Sequence, residues 1–417
     1  TERVHAWDNI MRCNFLQKGQ NMFYTKEEFL KQNRRTAAVE NDLLARTYDT
    51  IMGNVYEDHG YPWSPMRCIT PGKVCFDGIW NWDSGFHAMG VSRWDTALAR
   101  ECLLGFMRFQ CENGMFPDVI WENGNVERRL SKPPVLSWAC SVVYRRDRNI
   151  DFLKEVYPRL VRSEEHWVRD RSDRGLFFYD AEDKDGKDYL LHVRYESGWD
   201  NSVRWDDGIV EKYPVDLNCF AVLGYRALSY IASELGLSDE STKWKEKEKK
   251  IGALINERLW DDEKKYYADA HRETGKISSV LTPASFMPLY CGIASNERAA
   301  CMNELAVSRF LSKMPTVTFD NPAYSNDYWR GPTWLNVAYF AARGLKSYGF
   351  DTADKIRGSV LSMCDADKDG IFENYDSRTG KGLGCPHFSW SCVFINEFIL
   401  NFGQEEIFSP RGALAAK

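Results

Sequence analysis

Histidine is scarce in this chain, at seven residues in 417, and no two stand at a metal-binding helical spacing. The twelve cysteines are scattered, with no CxxC pair and no Cys/His ligand spacing, which argues against structural zinc. They read instead as buried thiols of a reducing compartment. Glycine-rich phosphate loops and serine or cysteine nucleophile motifs are also missing, which removes nucleotide-driven and acyl-enzyme chemistry. No Lys/Arg cluster of nucleic-acid type appears, and the net charge is −6, so no nucleic-acid partner is expected. No apolar run reaches membrane-spanning length and no signal peptide is visible, so the expectation is a cytoplasmic protein with no membrane partner. Nor is there a Pro/Gly/Ser-rich linker. Residues 1–405 are expected to form one domain, and 406–417, ending Gly412-Ala413-Leu414-Ala415-Ala416-Lys417, a tail left by expression cloning.

Aromatic residues, by contrast, are plentiful: fifteen Trp, twenty Tyr and twenty-three Phe. Many sit beside acids, as in Glu196-Ser197-Gly198-Trp199-Asp200-Asn201-Ser202 and Glu373-Asn374-Tyr375-Asp376. Aromatic faces pack on the C–H faces of a pyranose while carboxylates accept hydrogen bonds from its hydroxyls. Hydrolysis of a glycoside needs two carboxyl groups flanking one bond, and distant parts of the chain can supply them.

Helical periodicity dominates the pattern. One long amphipathic helix is expected over 26–54 and another over 95–111, with Asp95 as its N-cap. Further helices are expected at 134–146, 150–171, 215–236, 240–259, 283–293, 295–308, 332–347, 351–364 and 388–402. Aromatic and acidic loops connect them. The fold class is therefore all-α, and a toroid of paired helices satisfies it, with the loops forming a cleft at one end. Segments 172–194 and 259–281 are expected as small rim hairpins, and 60–65 with 112–133 either close over a substrate or brace the rim.

Asp200, packed by Trp199 and Trp205, suits a general acid because low polarity raises a carboxyl pKa. Its other reading is a cap for the following turn. Glu373 follows Asp365, Asp367, Asp369 and Gly370, which match the start of a calcium-binding EF-hand loop. The twelfth position is Asp376 rather than Glu, so a solvated acidic turn is the stronger reading and calcium at Asp365, Asp367 and Asp369 the weaker. His87 is a candidate for the cleft, with a core or capping role as its rival.

Six segments in order resemble glycoside hydrolase family 63 and its trehalase and glucoamylase-like relatives. They are Trp80-Asn81-Trp82-Asp83-Ser84-Gly85-Phe86, Glu112-Asn113-Gly114-Met115-Phe116-Pro117, the Glu196–Ser202 segment, Tyr328-Trp329-Arg330-Gly331-Pro332-Thr333-Trp334, Glu373–Gly380, and Phe388-Ser389-Trp390-Ser391. The resemblance implies an (α/α)6 barrel that hydrolyses α-glycosides with inversion. It implies Asp200 as general acid and Glu373 as general base, about 6.5–9.5 Å apart to admit a water. It also implies Trp82, Asp83, Trp199, Trp329 and Arg330 around the sugar nearest the cut. Trp80, Glu112, Asn113, Gly114, Tyr328, Trp334, Tyr375 and Trp390 are further substrate-binding candidates from the matched segments.

The short chain is similar to the compact branch of mannosylglycerate and glucosylglycerate hydrolases. For a glycerate carboxylate the candidates are Arg204, Tyr324 and Arg330. Asp118 departs from the His expected there in the compact enzymes. The chemistry calls for no cofactor, and the partner is a small carbohydrate. A sugar-binding protein, or another sugar enzyme on the same toroid such as an epimerase, is the alternative. An epimerase wants histidine pairs, and a binding protein needs no opposed acids.

Overall fold

The computed structural model describes residues 21–403 except 58, so the tail at 406–417 lies outside the described residues. Fourteen α-helices form among them. In chain order these are α1 (Lys26–Gln32), α2 (Ala38–Gly53), α3 (Asn81–Val91), α4 (Thr96–Met107), α5 (Leu136–Asp147), α6 (Ile150–Asp170) and α7 (Tyr189–Ser197). The second half adds α8 (Val215–Glu234), α9 (Ser238–Arg258), α10 (Met287–Tyr290), α11 (Asn296–Ser308), α12 (Leu335–Ser347), α13 (Thr352–Ala366) and α14 (Ser389–Leu400).

Local composition sets how much of a helix can be buried. In α14, Ser-Trp-Ser-Cys-Val-Phe-Ile-Asn-Glu-Phe-Ile-Leu, all twelve residues are buried, as suits a helix apolar all round. Along α9 only Trp244, Ile251, Gly252 and Ile255 are buried, one narrow stripe under a charged outer face. The inner kind recurs at α3, α5, α8, α10, α12 and α14. Each packs on the next, and α14 closes back on α3. Helices α2, α4, α6, α9, α11 and α13 alternate with them along the chain and form the outer layer. This is the (α/α)6 barrel expected from the periodicity and the resemblance.

The axis is filled by aromatic rings. Phe340 of α12 lies 6.4 Å from Phe86 of α3, 6.1 Å from Trp138 of α5 and 6.0 Å from Phe220 of α8. It is also 5.0 Å from Tyr290 of α10 and 5.5 Å from Phe394 of α14. One side chain thus meets every other inner helix. The contacts with Phe220 and Phe394 are edge-to-face, and such pairs add to plain burial.

At the rim, two-stranded ribbons replace helices. Strand β1 (Gly78–Trp80) pairs antiparallel with β2 (Val119–Trp121), and β3 (Phe372–Tyr375) with β4 (Gly382–Pro386). Short pairs also join 172–173 to 176–177, 260–261 to 266–267, and 212–213 to 270–271. Helix α7 occupies the second half of the 172–194 segment. The 60–65 loop braces the wall: Trp63 is fully buried, Tyr61 stacks on it at 5.2 Å, and Arg108 Nη1 donates to the Ser64 carbonyl at 2.8 Å.

The helix expected over 26–54 is two helices. Helix α1 is opened by a Thr25–Glu28 capping box, and the chain leaves it at Asn33. The Asn41 side chain then holds the break, accepting from Arg35 N–H at 2.9 Å and donating to Arg35 carbonyl at 2.7 Å. A polar side chain that competes for backbone groups ends a helix that periodicity alone would continue. Asp95 caps α4, accepting from Leu98 N–H at 2.9 Å.

Phe340→Ala should lose about 3–5 kcal/mol of unfolding free energy, read from urea denaturation with an unchanged m-value. A loss below about 1 kcal/mol would mean that the axis repacks without its central ring.

Candidate active site

A cavity of about 120 Å³ opens at the N-terminal ends of the inner helices. Its apolar lining comes from Phe76, Trp80, Trp82, Trp329, Trp334, Phe388 and Trp390, and its ionisable groups are Asp83, Lys132, Asp200, Tyr328 and Glu373. The indoles continue the axial stack upward: Trp82 and Trp334 lie 5.1 and 5.7 Å from Trp390, which sits 5.7 Å from Phe86.

Asp200 reaches this cavity because α7 ends one turn before it. Gly198 takes the left-handed conformation, φ 71°, that terminates the helix. A Cβ there would stand 2.5 Å from the Trp82 indole. Neighbouring loops lace the acid in place. Asn201 Oδ1 accepts from Trp329 N–H at 2.9 Å, and its Nδ2 donates to Asp327 at 3.0 Å. Burial raises the Asp200 carboxyl pKa, with Lys132 and its own backbone N–H opposing.

Glu373 sits on β3 across the cavity. Oε1 accepts from Tyr328 O–H at 2.9 Å and Oε2 from Cys385 N–H at 3.1 Å. Burial pushes this carboxyl up to about 7, the two donors pull it down, and the Asp200 charge raises it again. Gly384, φ 70°, leaves room for the carboxylate, since a Cβ would meet Oε2 at 2.4 Å. Tyr328 holds φ 49°, an uncommon conformation for a residue with a side chain, and donates from there.

Two groups near Asp200 were not marked by any motif. Lys132, the one residue of the 130–134 segment that is charged, is buried with Nζ 3.3 Å from Asp118 Oδ1 and donates to the Tyr195 carbonyl. Burial opposes its charge, yet Asp118, Asp200 and Asp83 hold its pKa above the usual lysine value. Burial likewise pushes Asp83 up to about 8 and Asp118 to about 6, with Lys132 countering both. Asp118 was notable in the sequence only as a replacement for an expected histidine.

Several candidates stand elsewhere. Arg204 is fully buried in a bidentate pair with Asp216, at 2.7 and 2.9 Å, and a second with Asp269, at 2.7 and 3.0 Å. Arg330 pairs with Asp206 at 2.7 and 2.8 Å and donates to the Asn201 carbonyl, so it tightens the acid's loop without lining the cavity. Tyr324 packs on Phe319 and Arg378 outside the cavity. Trp199 lies one layer down, 4.8 Å from Trp329, which stacks on Trp334 at 3.8 Å. Glu112, Asn113 and Gly114 form a turn docked on α6, where Arg162 and Arg169 donate to the Glu112 and Asn113 carbonyls. Tyr375 is fully buried, its hydroxyl accepting from Phe372 N–H at 3.0 Å.

The calcium alternative meets a guanidinium. Arg46 Nη2 donates to the Asp367 and Gly370 carbonyls at 2.7 and 2.9 Å, Asp365 pairs with Lys368, and Asp367 accepts from Asp369 and Gly382 N–H. A cation already organises this turn, and among the described residues no group of three or more His, Cys, Asp or Glu is arranged to hold a metal. His87 is a core residue: its Nε2 is 2.7 Å from Ser389 Oγ, and burial lowers its pKa to about 3.

The family model for the mannosylglycerate hydrolase MGH1-like glycoside hydrolase domain matches residues 77–391, which carry all of the residues lining the cavity except Pro71 and Phe76. The chain belongs to that family. It is a glycoside hydrolase of the family 63 type. Among its relatives, a mannosylglycerate hydrolase of Rubrobacter radiotolerans is 24% identical, covering 79% of this chain and 92% of the relative. Mannosylglycerate hydrolase MGH1 of Selaginella moellendorffii is 25% identical over 78% of this chain and 80% of its own. The fold matches the crystal structure of the GH63 mannosylglycerate hydrolase of Thermus thermophilus in complex with glucose, with TM-score 0.72 and 22% identity over 85% of this chain and 98% of that one.

Arg204→Met should destabilise this MGH1-like hydrolase by about 3–5 kcal/mol, because it strands two buried carboxylates. Urea unfolding measures the loss. A stability unchanged from wild type would show that Asp216 and Asp269 find other partners.

Proposed function

We propose that the chain hydrolyses a small α-glucoside or α-mannoside with inversion at the anomeric carbon. Asp200 gives its proton to the glycosidic oxygen as the bond from C1 breaks. Glu373 takes a proton from a water whose oxygen bonds to C1 from the opposite face. Burial raises both carboxyls, so their pKa values do not divide the roles, and position does. Asp200 borders the inner cavity and a second, outer cavity, whereas Glu373 borders only the inner one. That single observation carries the assignment: the acid stands where the two halves of a glycoside meet, and the base stands behind the ring being attacked.

The inner cavity suits one pyranose. Its indoles offer faces to the ring's C–H groups, and Asp83 offers oxygens to its hydroxyls. Relatives named mannosylglycerate hydrolases, and a solved neighbour holding glucose, support a small carbohydrate substrate. The donors on Glu373, Tyr328 O–H and Cys385 N–H, favour its carboxylate form, which a base requires.

Proton NMR of hydrolysis should show the β-anomer before mutarotation; an α-anomer first would overturn the roles of both acids. Asp200→Asn and Glu373→Gln should each lower kcat by about 10²–10⁴-fold while melting at the wild-type temperature.

The pH profile gives a separate check. Glu373 acts ionised and its pKa stands near 7, so kcat/KM should fall as pH drops below about 7. Tyr328→Phe removes a donor that favours the carboxylate, which should move this acid limb to higher pH. A limb that stays in place would separate Tyr328 from the base.

A further inference from the structure

The outer cavity measures about 380 Å³ against about 120 Å³ for the inner one, and Trp80, Lys132 and Asp200 border both. One wall is the β1–β2 ribbon. Trp80 pairs with Val119 and Gly78 with Trp121, so Trp80 and Trp121 are diagonal neighbours, and both line the cavity. Across from them stand carboxylates and their partners. If the smaller space holds one pyranose, the larger accepts a second ring with room to spare.

Charge is the deciding feature. Each basic side chain lining the outer cavity already faces a carboxylate. Lys132 Nζ lies 3.3 Å from Asp118, Arg129 forks onto both oxygens of Glu127, and His192 Nδ1 lies 2.8 Å from Asp183. Arg204 and Arg330, two further cations near the acid's loop, are taken by Asp216 with Asp269 and by Asp206. Asp200 adds a further carboxyl to the lining. A carboxylate entering here meets no positive charge that lacks a carboxylate partner, and Asp118, Glu127 and Asp200 outnumber Lys132 and Arg129 in the lining. A hydroxyl-bearing ring meets two indole faces and the unused lone pairs of Asp118 and Glu127.

We propose that the leaving group of this enzyme is a neutral, hydroxyl-rich unit of hexose size, seated on Trp80 and Trp121 and selected against glycerate by the paired charges of Asp118–Lys132 and Glu127–Arg129. This rests on the reading of the inner cavity as the site of glycoside cleavage. It chooses among the substrates that reading allows. The relatives' named substrate is an anionic glycoside, so the inference separates this chain from them on its own residues.

The test compares kcat/KM of the wild-type enzyme for neutral α-disaccharides (trehalose, kojibiose, nigerose and α-mannobiose) with that for glucosylglycerate and mannosylglycerate. The best neutral substrate should exceed the best glycerate glycoside tenfold or more. Glu127→Gln, which releases the Arg129 charge, should narrow that gap about tenfold, chiefly through a lower KM for the glycerate glycoside. Glycerate glycosides cleaved as well as the neutral sugars by wild type would overturn the inference and leave the glycosidase reading intact. Absence of turnover on the whole panel would count against the reading of Asp200 and Glu373 instead. Calorimetric titration of the wild-type enzyme with the same compounds then decides the inference. Binding of a neutral disaccharide without binding of the glycerate glycosides supports it; the reverse pattern, or no neutral binding, overturns it.

Discussion

Phe340 touches an aromatic ring from each of the other five inner helices, and the rest of the molecule is arranged around that contact. Six helices in a ring leave a gap on the axis that no helix backbone can fill. Were it open, water would run the length of the barrel. Flat, rigid rings fill it from all sides at once, because each covers a large area at little cost in side-chain entropy. The plug sets how far apart the inner helices stand, and it turns a bore into a cup with a dry floor.

The electrostatics of the site follow from that floor. Asp83, Asp118, Asp200 and Glu373 stand above packed indoles, and burial raises all four. Charge is expensive in such a place unless compensated. Lys132 is the compensation, close enough to counter three of the four. Elsewhere the same constraint is met by pairing: Arg204 with two aspartates, Arg171 with Glu196, Arg93 with Glu397. A buried guanidinium here is a fastener for a loop, and its charge is already used when a ligand arrives.

This explains what could be read in the sequence and what could not. Helix positions follow from local periodicity, so most were legible, and the split at 33–37 was missed because it depends on Asn41 reaching back to Arg35. Asp200, Glu373 and the Trp82 segment stood out because their chemistry is packed into a few consecutive residues. Arg204 and Arg330 look the same in sequence whether they point to a ligand or to Asp216 and Asp206. The difference lies in partners that are remote in the chain: Asp269 is 65 residues from Arg204, and Asp206 is 124 from Arg330. Lys132 was invisible for the converse reason. Nothing adjacent to it announces a site, and it becomes important only when Asp118, Asp200 and Asp83 surround it. The EF-hand likeness is a local pattern of the same kind: the Ile371 carbonyl, which calcium would need, accepts from Phe388 N–H at 2.8 Å, and Arg46, more than 300 residues away, holds the Asp367 and Gly370 carbonyls.

The two acids are held by different means, and the contrast bears on how the gap between them is set. Asp200 belongs to a loop stitched to the Asp327–Arg330 loop through Asn201, so the acid, Trp329 and Arg330 form one body resting at the mouths of α8 and α12. Glu373 belongs to the β3–β4 ribbon at the mouth of α14, anchored where Ser391 Oγ donates to its carbonyl at 3.2 Å. Tyr328, whose hydroxyl reaches Glu373 from the first body, links the two at the cavity, and Thr333 and Tyr375 exchange backbone hydrogen bonds behind it. Both links run from the α12 side to the α14 side. The separation of the two carboxyls therefore rests on how α8, α12 and α14 are spaced, and rings from all three meet at Phe340. Packing at the axis of the barrel and the placement of the carboxyls at its rim thus share the same three helices.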